Sequence, residues 1–223
     1  MFSDLEVLTQ GNNFARLLGG LGVSIQIALA SMALSIVFGT LMGVAMASKS
    51  KALKAVTQAY LQFVRIMPQL VLLFLVYFDA TRAWGLNLDA RVAAIIVFTL
   101  WGTAELGDLV RAAIESVPRH QYLSAAALGI EGRALYRHVV LPQALRGLVP
   151  ATINLTNRMI MTTSLVALIG VVEVLKVAQQ IIDANRFEYP SAALWIYGVV
   201  FLLYFLVCFP ISLAARKLEE RWS

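Results

Sequence analysis

Long apolar stretches alternate with short polar segments along the 223-residue chain. A helix that crosses a bilayer needs about 20 mostly apolar residues. Five stretches meet that requirement, at about residues 17–47, 55–78, 92–110, 148–172 and 192–215. The pattern predicts an all-α integral membrane protein with about five transmembrane helices, forming a single domain over residues 1–223.

The longest polar segment, residues 118–146, lies between the third and fourth apolar stretches. Pro118 and Pro142 bracket it, and each resists continuing a helix from the preceding turn. Gly129 lies midway, where a short helix can end. The segment is therefore predicted to form a helix, a break and a second helix outside the membrane, where a soluble partner can reach it.

Composition supports the membrane assignment. The chain is 60% hydrophobic and only 14% charged, whereas soluble domains average about 25% charged residues. A net charge of +5 reports orientation in a membrane protein and does not indicate a nucleic-acid partner. The lone Cys208 lies in an apolar run, and His120 and His138 lack partners at ligand spacing, so neither a disulfide framework nor a metal site is expected.

Basic residues predict which way the chain crosses the membrane, because they accumulate on the cytoplasmic side. Eleven basic residues lie in the segments that follow the first, third and fifth stretches. Five lie on the other side, which includes the short loop Thr81 to Ala90. The N-terminus is therefore expected outside and the C-terminus inside, with residues 118–146 in the cytoplasm.

The third apolar stretch carries Glu105, Asp108 and Arg111 roughly along one helix face. Ionisable side chains at membrane depth are costly and usually face a cavity or a partner. Two interpretations stay open. One is an internal pair between Asp108 and Arg111 with Glu105 satisfied by a neighbour. The other is an acidic lining that binds the ammonium group of a polar solute.

The fourth stretch places Asn154 and Arg158 on one face, four residues apart. The guanidinium of Arg158 suits a solute carboxylate or an ion pair with Glu105 or Asp108. Arg65, shortly before Pro68 on the second stretch, is assigned a structural or gating role.

Four shorter patterns complete the residue-based predictions. Gly39 and Gly43 form a GxxxG face that predicts a close helix contact. The apolar spacing in residues 173–182 predicts a short amphipathic helix on the outer surface. The run from Gly43 to Ser50 imitates a phosphate-binding loop without its second glycine, so ATP hydrolysis is not expected in this chain. Arg133 and Arg137, also four residues apart, suit either lipid headgroups or a docking helix.

The order of residues in the polar segment resembles the "EAA" loop of bacterial ABC importer permeases, and most closely that of the polar amino acid permease family. The motifs that carry the resemblance are the run Gln121 to Ile130, the run Val139 to Leu145, Thr163-Ser164-Leu165, Ile169 to Leu175, and Arg65-x-x-Pro68. The resemblance covers about residues 20–221.

This resemblance implies a permease subunit of an ATP-driven importer for a polar amino acid, in the bacterial inner membrane. A second permease subunit, identical or homologous, would complete the translocation path. A cytoplasmic ATPase dimer would bind ATP and Mg²⁺, an extracytoplasmic binding protein would deliver the solute, and no cofactor is expected in this chain.

The implied site residues fall into three groups. Solute contacts are Glu105, Asp108, Asn154 and Arg158. Coupling contacts to the ATPase are Ser124, Ala125, Leu128, Gly129, Arg133, Arg137 and Pro142. Gating or structural residues are Arg65, Pro68, Thr163 and Ser164.

The chain departs from the family pattern at informative positions. Leu123 stands where the loop normally carries its glutamate, and Ser124 replaces the first alanine. Met161-Thr162 replaces the usual Lys-Asp, and Arg158 occupies a position that is usually small. Two other functions remain open on the residues alone, a secondary carrier and a membrane scaffold or sensor subunit, although five spans without an inverted repeat disfavour the carrier.

Overall fold

The computed structural model describes residues 6–79, 82–83, 85 and 87–222, and within them the chain is helical and has no strand. The first helices are α1 (Glu6–Thr9), α2 (Asn13–Ala47), α3 (Lys51–Ile66), α4 (Gln69–Phe74, continued by a π-helical turn Leu75–Asp79) and α5 (Ala90–Glu115). They are followed by α6 (Arg119–Ala127), α7 (Gly132–Leu135, with a π-helical turn Tyr136–Val140), α8 (Leu141–Thr162, with a 3-10 extension Thr163–Ile169), α9 (Val174–Asn185) and α10 (Ala192–Trp222).

Three of these helices, α2, α5 and α10, are each long and apolar enough to cross a membrane. Two helix pairs joined by a bend also qualify if each pair is taken as one span, which brings the number to five. The all-α prediction with about five spans is confirmed. The predicted loop from Thr81 to Ala90 falls partly outside the described residues.

The second apolar stretch, predicted at about residues 55–78, forms two helices with a bend of 99° between them. The helix α3 ends at Ile66, and Met67 has φ −74° and ψ 126°, which is extended backbone. Pro68 causes this, because the ring of a proline clashes with a preceding residue in helical conformation. The Met67 N–H donates to the Phe63 carbonyl at 3.1 Å and closes the last turn of α3.

Of the two bracketing prolines, Pro118 acts as predicted and Pro142 does not. Pro118 is the N-cap of α6. The helix, however, runs without interruption from Gly132 through Pro142. The π-helical turn Tyr136–Val140 directly precedes the proline, and such a wider turn accommodates a residue that lacks an N–H and crowds the preceding turn. The fourth span is thus continuous with the polar segment.

The chain folds into two compact units. One comprises Met1–Ser31, Gln69–Phe98 and Arg158–Pro210, and the other comprises Met32–Pro68, Thr99–Asn157 and Ile211–Ser223. The single-domain assignment of residues 1–223 stays a prediction.

The core of the first unit forms around the predicted amphipathic helix, which is α9. Its apolar face buries Val174, Val177, Ala178 and Ile181 against Leu17, Leu21, Ile196 and Val200. Gly20 allows this approach, since a Cβ there would lie 2.7 Å from the backbone nitrogen of Val174. The helix prediction for residues 173–182 is confirmed.

The second unit contains the helix contact predicted from the GxxxG face. A Cβ on Gly39 would lie 2.8 Å from the Leu106 Cβ, and a Cβ on Gly43 would lie 2.6 Å from the Gly107 carbonyl oxygen. Glycine at both positions therefore lets α2 and α5 approach closely, as small residues do in membrane helix pairs. The prediction is confirmed.

Candidate functional site

Arg65 lies in the last turn of α3 and reaches two carboxylates on α5. Its Nε donates to Glu105 Oε1 at 3.0 Å, and its Nη2 donates to Asp108 Oδ2 at 2.7 Å. Glu105 and Asp108 are three residues apart and so share the face of α5 that meets Arg65. The hydroxyl of Tyr60, also on α3, donates to the Leu100 carbonyl at 2.7 Å and helps to hold the two helices together.

The other oxygen of Asp108 binds a second arginine. Arg111 donates to Asp108 Oδ1 from Nε at 3.0 Å and from Nη2 at 2.5 Å. Arg111 Nη1 also donates to Glu115 Oε2 at 2.6 Å. Glu105, Arg65, Asp108, Arg111 and Glu115 thus form one chain of alternating charges, which we call the charge cluster. Three carboxylates and two guanidiniums leave it with a formal charge of −1.

The charge cluster is only partly withdrawn from solvent. The side chains of Glu105 and Asp108 are 14% and 18% exposed, while that of Arg65 is 40% exposed. Charged hydrogen bonds of this kind are strong because one or both groups are ionised. Since Asp108 is bridged by two guanidiniums, loss of Asp108 would disturb the arrangement more than loss of either end. An ammonium or guanidinium group of a solute is the chemistry that these carboxylates suit.

The sequence anticipated part of this cluster. The predicted pair between Asp108 and Arg111 is present. The partnership of Arg65 with Glu105 and Asp108 was missed, because 40 or more residues separate them. The available signal was one basic and two acidic side chains in adjacent apolar stretches, which favours pairing at membrane depth.

The remaining predicted solute contacts lie on α8. Asn154 and Arg158 are both exposed and one turn apart, and the Arg158 carbonyl accepts from Thr162 Oγ1 at 2.8 Å. Their role stays a prediction. Thr163 and Ser164 begin the 3-10 extension of α8, where their hydroxyls donate to the Ile160 and Met161 carbonyls. Both hydroxyls therefore satisfy the backbone where the α-helix tightens.

Glu173 lies in the run Ile169 to Leu175, and no role was predicted for it. It is fully buried and is the N-cap of α9, accepting from the Leu175 and Lys176 amides at 2.9 and 2.8 Å. Ser24 Oγ also donates to it at 3.2 Å. A carboxylate directly before an apolar helical run, three residues after a glycine, is the signal that identifies such a cap. Gly170, with φ +88°, ends the 3-10 extension of α8 and begins the turn that leads to α9.

The polar segment presents α6 in a fixed conformation. Gly129 has φ +71°, and its N–H donates to the Ala126 carbonyl while the Ile130 N–H donates to the Ala125 carbonyl. These two bonds form a Schellman motif, which caps the helix and favours glycine at this position. The prediction that Gly129 ends the first helix of the segment is confirmed.

A small apolar cluster holds α6 against its neighbours. Val117, Val140 and Ala144 are buried, and Tyr122 and Leu135 pack against them. Burial raises the pKa of the Tyr122 phenol, which keeps it neutral at ordinary pH. Gln143 Nε2 donates to Gln121 Oε1 at 3.4 Å and links α6 to α8.

The predicted coupling residues have different environments. Ala125 is buried, with 4% exposure, and supports α6 from within. The others are exposed, and they are Ser124, Leu128, Gly129, Arg133, Arg137 and Pro142. Arg133 and Arg137 also line an apolar groove of about 640 Å³ together with Val44, Tyr136 and Leu141. Within the described residues, no group of three or more His, Cys, Asp or Glu side chains could hold a metal ion.

Comparison with known proteins identifies the family. Residues 35–223 match the model of the binding-protein-dependent transport system inner membrane component. The chain belongs to this family. It is 31% identical to a probable amino-acid ABC transporter permease, YckA of Bacillus subtilis (strain 168), over 95% of this chain and 91% of that protein. It is 30% identical to the L-cystine transport system permease TcyB of the same organism, over 96% and 89%.

Solved structures show the same fold. A crystal structure of an amino acid ABC transporter with histidines superposes with a TM-score of 0.85 at 23% identity, covering 96% of this chain and 97% of that one. The inward-facing MetNI methionine ABC transporter gives a TM-score of 0.76 at 18% identity over 94% and 97%. This chain is therefore a multi-pass permease subunit of an inner-membrane ABC transport system, and systems of this family depend on a binding protein.

In this permease the charge cluster and the polar segment occupy the same unit. The segment offers an exposed, rigidly held helix, and the cluster offers carboxylates bridged by arginines. The first is suited to protein docking, and the second to a polar, charged solute.

Proposed function

We propose that this permease imports a polar amino acid through a path that it forms with a second permease subunit, identical or homologous. An ATPase dimer on the cytoplasmic side binds ATP and Mg²⁺ and supplies the energy, and an extracytoplasmic binding protein delivers the solute. The family membership and the exposed, capped helix α6 support this proposal. The amino acid transporters among the relatives support the solute class.

The proposal includes orientation and location. The basic residues favour an external N-terminus, an internal C-terminus and a cytoplasmic position for residues 118–146. The bacterial relatives favour a bacterial inner membrane, where lipid surrounds the spans and no nucleic acid is involved. The whole chain acts as one permease domain.

The solute site is assigned to Glu105, Asp108, Asn154 and Arg158. An α-amino acid carries an ammonium group and a carboxylate, so it needs acidic and basic contacts together. Arg65 binds Glu105 and Asp108, and a cationic group of the solute competes with it for those oxygens. Arg65 and Pro68, at the end of α3, and Thr163 and Ser164, in the 3-10 turn, have gating or structural roles.

The coupling contact is assigned to α6 and the turn that follows it. Its residues are Ser124, Ala125, Leu128, Gly129, Arg133, Arg137 and Pro142, with Ala125 acting from the interior. ATP-driven closure of the ATPase dimer moves this segment and switches access to the path.

The docking test is a charge reversal on α7 and its π-turn. The double variant Arg133→Glu/Arg137→Glu is expected to insert normally but to lose the ATPase on co-purification and to lose ATP-driven uptake. The matched control is Arg216→Glu/Lys217→Glu, which changes the net charge by the same amount at two exposed positions on α10. Normal ATPase recovery and uptake in the first variant would refute docking at this site.

A secondary carrier is the competing function, and energy coupling separates the two. Uptake into proteoliposomes that contain the permease, the ATPase and the binding protein is expected to stop when ATP is removed while ion gradients are clamped. Uptake that follows an ion gradient without ATP would assign the chain to the carriers. A scaffold subunit would show no uptake of any solute under either condition.

A further inference from the structure

We propose that the contact between this permease and its ATPase is apolar at its centre, with Leu123 and Leu128 entering an apolar pocket on the ATPase. The inference rests on the proposed coupling function and goes beyond it by naming the chemistry of the partner surface. It makes Leu123 a residue that determines which ATPase this permease accepts.

The first observation is exposure. Leu123 is 62% exposed and Leu128 is 77% exposed, although both lie in the most polar segment of the chain. Ala126 and Ala127 beside them are exposed as well. Leu123, Ala126 and Ala127 share one face of α6 by their spacing of three and four residues, and Leu128 is the C-cap that follows. We call these four residues the apolar coupling surface, and the exposed Ser124 borders it. Exposed apolar residues that cluster, and are not scattered singly, mark interaction sites.

The second observation is that the surface is held in place. The Schellman motif fixes the position of Leu128 immediately before Gly129. On the opposite side of α6, Ala125 is buried and Tyr122 packs on the cluster of Val117, Val140 and Ala144. A preorganised surface loses little conformational freedom on docking. The leucines therefore face outward because of the fold and not because the segment is loose.

The third observation is the charge around the surface. Arg119, Arg133 and Arg137 are exposed, and Glu131 is the exposed acid between them. The exposed residues that precede and follow this surface in the chain are thus predominantly basic, and an apolar centre beside charged residues is the usual anatomy of a protein interface. By complementarity, the partner has an apolar pocket with an acidic rim.

The departure of Leu123 from the family pattern indicates the chemistry of the partner surface. The loop normally carries a glutamate where this chain has Leu123. A partner that offers a basic group to such a glutamate would, against Leu123, bury that charge without a counter-charge, which is costly. The cognate ATPase is therefore expected to present an apolar group at this point, and the pairing excludes ATPases built for the charged loop.

The first test substitutes Leu123 in the full complex, with ATPase recovery and ATP-driven uptake as measurements. Leu123→Glu is expected to weaken ATPase binding about 10- to 100-fold, as loss of a buried leucine contact with added charge desolvation implies. Leu123→Met, which conserves volume and apolarity, is expected to stay within about twofold. Leu128→Gln provides a second variant, with a loss of about tenfold.

The results for these variants distinguish an apolar contact at Leu123 and Leu128 from ATPase docking at the polar segment in general. If Leu123→Glu and Leu128→Gln bind the ATPase as the wild type does, while Arg133→Glu/Arg137→Glu loses it, the coupling function stands and the apolar contact is refuted. If all of these variants retain the ATPase, docking at this segment is refuted as well. Tighter binding by Leu123→Glu would also refute the inference, because it would indicate a basic partner group.

A second measurement reads the environment directly. The chain has a single cysteine, Cys208, which is buried, so Leu123→Cys in a Cys208→Ser background gives one exposed thiol. An environment-sensitive fluorophore on that thiol is expected to shift to the blue when the ATPase is added. An unchanged or red-shifted emission in a complex that has formed would show that the centre of the contact is polar.

Discussion

The permease satisfies its carboxylates in two different ways, one in each unit. Glu173 is fully buried and binds two backbone amides and the Ser24 hydroxyl. Glu105 and Asp108 are partly exposed and bind the side chains of Arg65 and Arg111. The partners of Glu173 are neutral and mostly fixed by the helix that it caps, whereas those of the charge cluster are long, charged and rotatable.

The difference separates a structural carboxylate from carboxylates that can exchange partners. Helix amides cannot leave Glu173 without unfolding the first turn of α9. A guanidinium can leave Asp108 when another cation arrives, because both are charged donors of the same kind. We therefore expect substitutions at Glu173 to reduce stability and substitutions in the charge cluster to reduce transport.

The largest loss of stability is expected from Glu173→Ala. The change removes an N-cap and leaves two amides and a buried hydroxyl without their acceptor, for a combined loss of about 2–4 kcal/mol. The melting temperature in detergent should fall by roughly 5–10 °C. Glu173→Gln keeps one acceptor oxygen and should recover part of the loss. A melting temperature within about 1 °C of wild type for the alanine variant would contradict a structural role.

The next effect is expected from Asp108→Asn, and it should appear in transport. The neutral amide keeps the shape but loses the charge that bridges Arg65 and Arg111, so uptake should fall by about tenfold or more. The assembled complex should still be recovered, which size-exclusion chromatography with the ATPase would check. Normal uptake kinetics would remove Asp108 from the solute site.

A smaller effect is expected from Arg65→Lys. An ammonium is a single point charge and cannot reproduce the two directed bonds to Glu105 and Asp108. Uptake should fall by about three- to tenfold, while the equivalent change at the exposed Arg216 should have no effect. If Arg65→Lys and Arg216→Lys behave alike, the geometry of the guanidinium does not matter.

The smallest effect is expected from Glu115→Ala, at the outer end of the charge cluster. Glu115 is 48% exposed and pairs with Arg111 one helical turn away, and such pairs contribute about 0.3–0.5 kcal/mol. The melting temperature should change by less than about 2 °C, and uptake should stay at the wild-type level. A large loss of uptake would extend the solute site to this end of the cluster.

The sequence predicted the features that depend on local pattern. Apolar stretches located the spans, Gly129 ended α6, and the spacing after Glu173 predicted α9. It failed where two local rules compete. Pro68 ended a helix inside an apolar stretch, whereas Pro142 did not end one, because the π-helical turn before it relieves the clash. A proline alone does not reveal which of these outcomes the surrounding turn permits.

Partner identity was the second point that the sequence left open. Spacing placed Glu105, Asp108 and Arg111 on one face, because helix geometry fixes that relation. It did not identify Arg65 as a partner of Glu105 and Asp108, since arginines on two other apolar stretches were both candidates. The close approach of α2 and α5 could be predicted because glycines four residues apart typically mark a close contact between membrane helices.

Because the helix runs unbroken through Pro142, the directions in which side chains point at its two ends are fixed relative to each other. From Gly132 to Asn154 the helix rises about 33 Å, with about 3.6 residues per turn on either side of the π-helical turn Tyr136–Val140. The direction in which Asn154 points is therefore fixed by the number of residues that separate it from Arg133. Inserting one residue after Val140 would rotate Asn154 by about 100° relative to Arg133, so the length of this helix is as constrained as its composition.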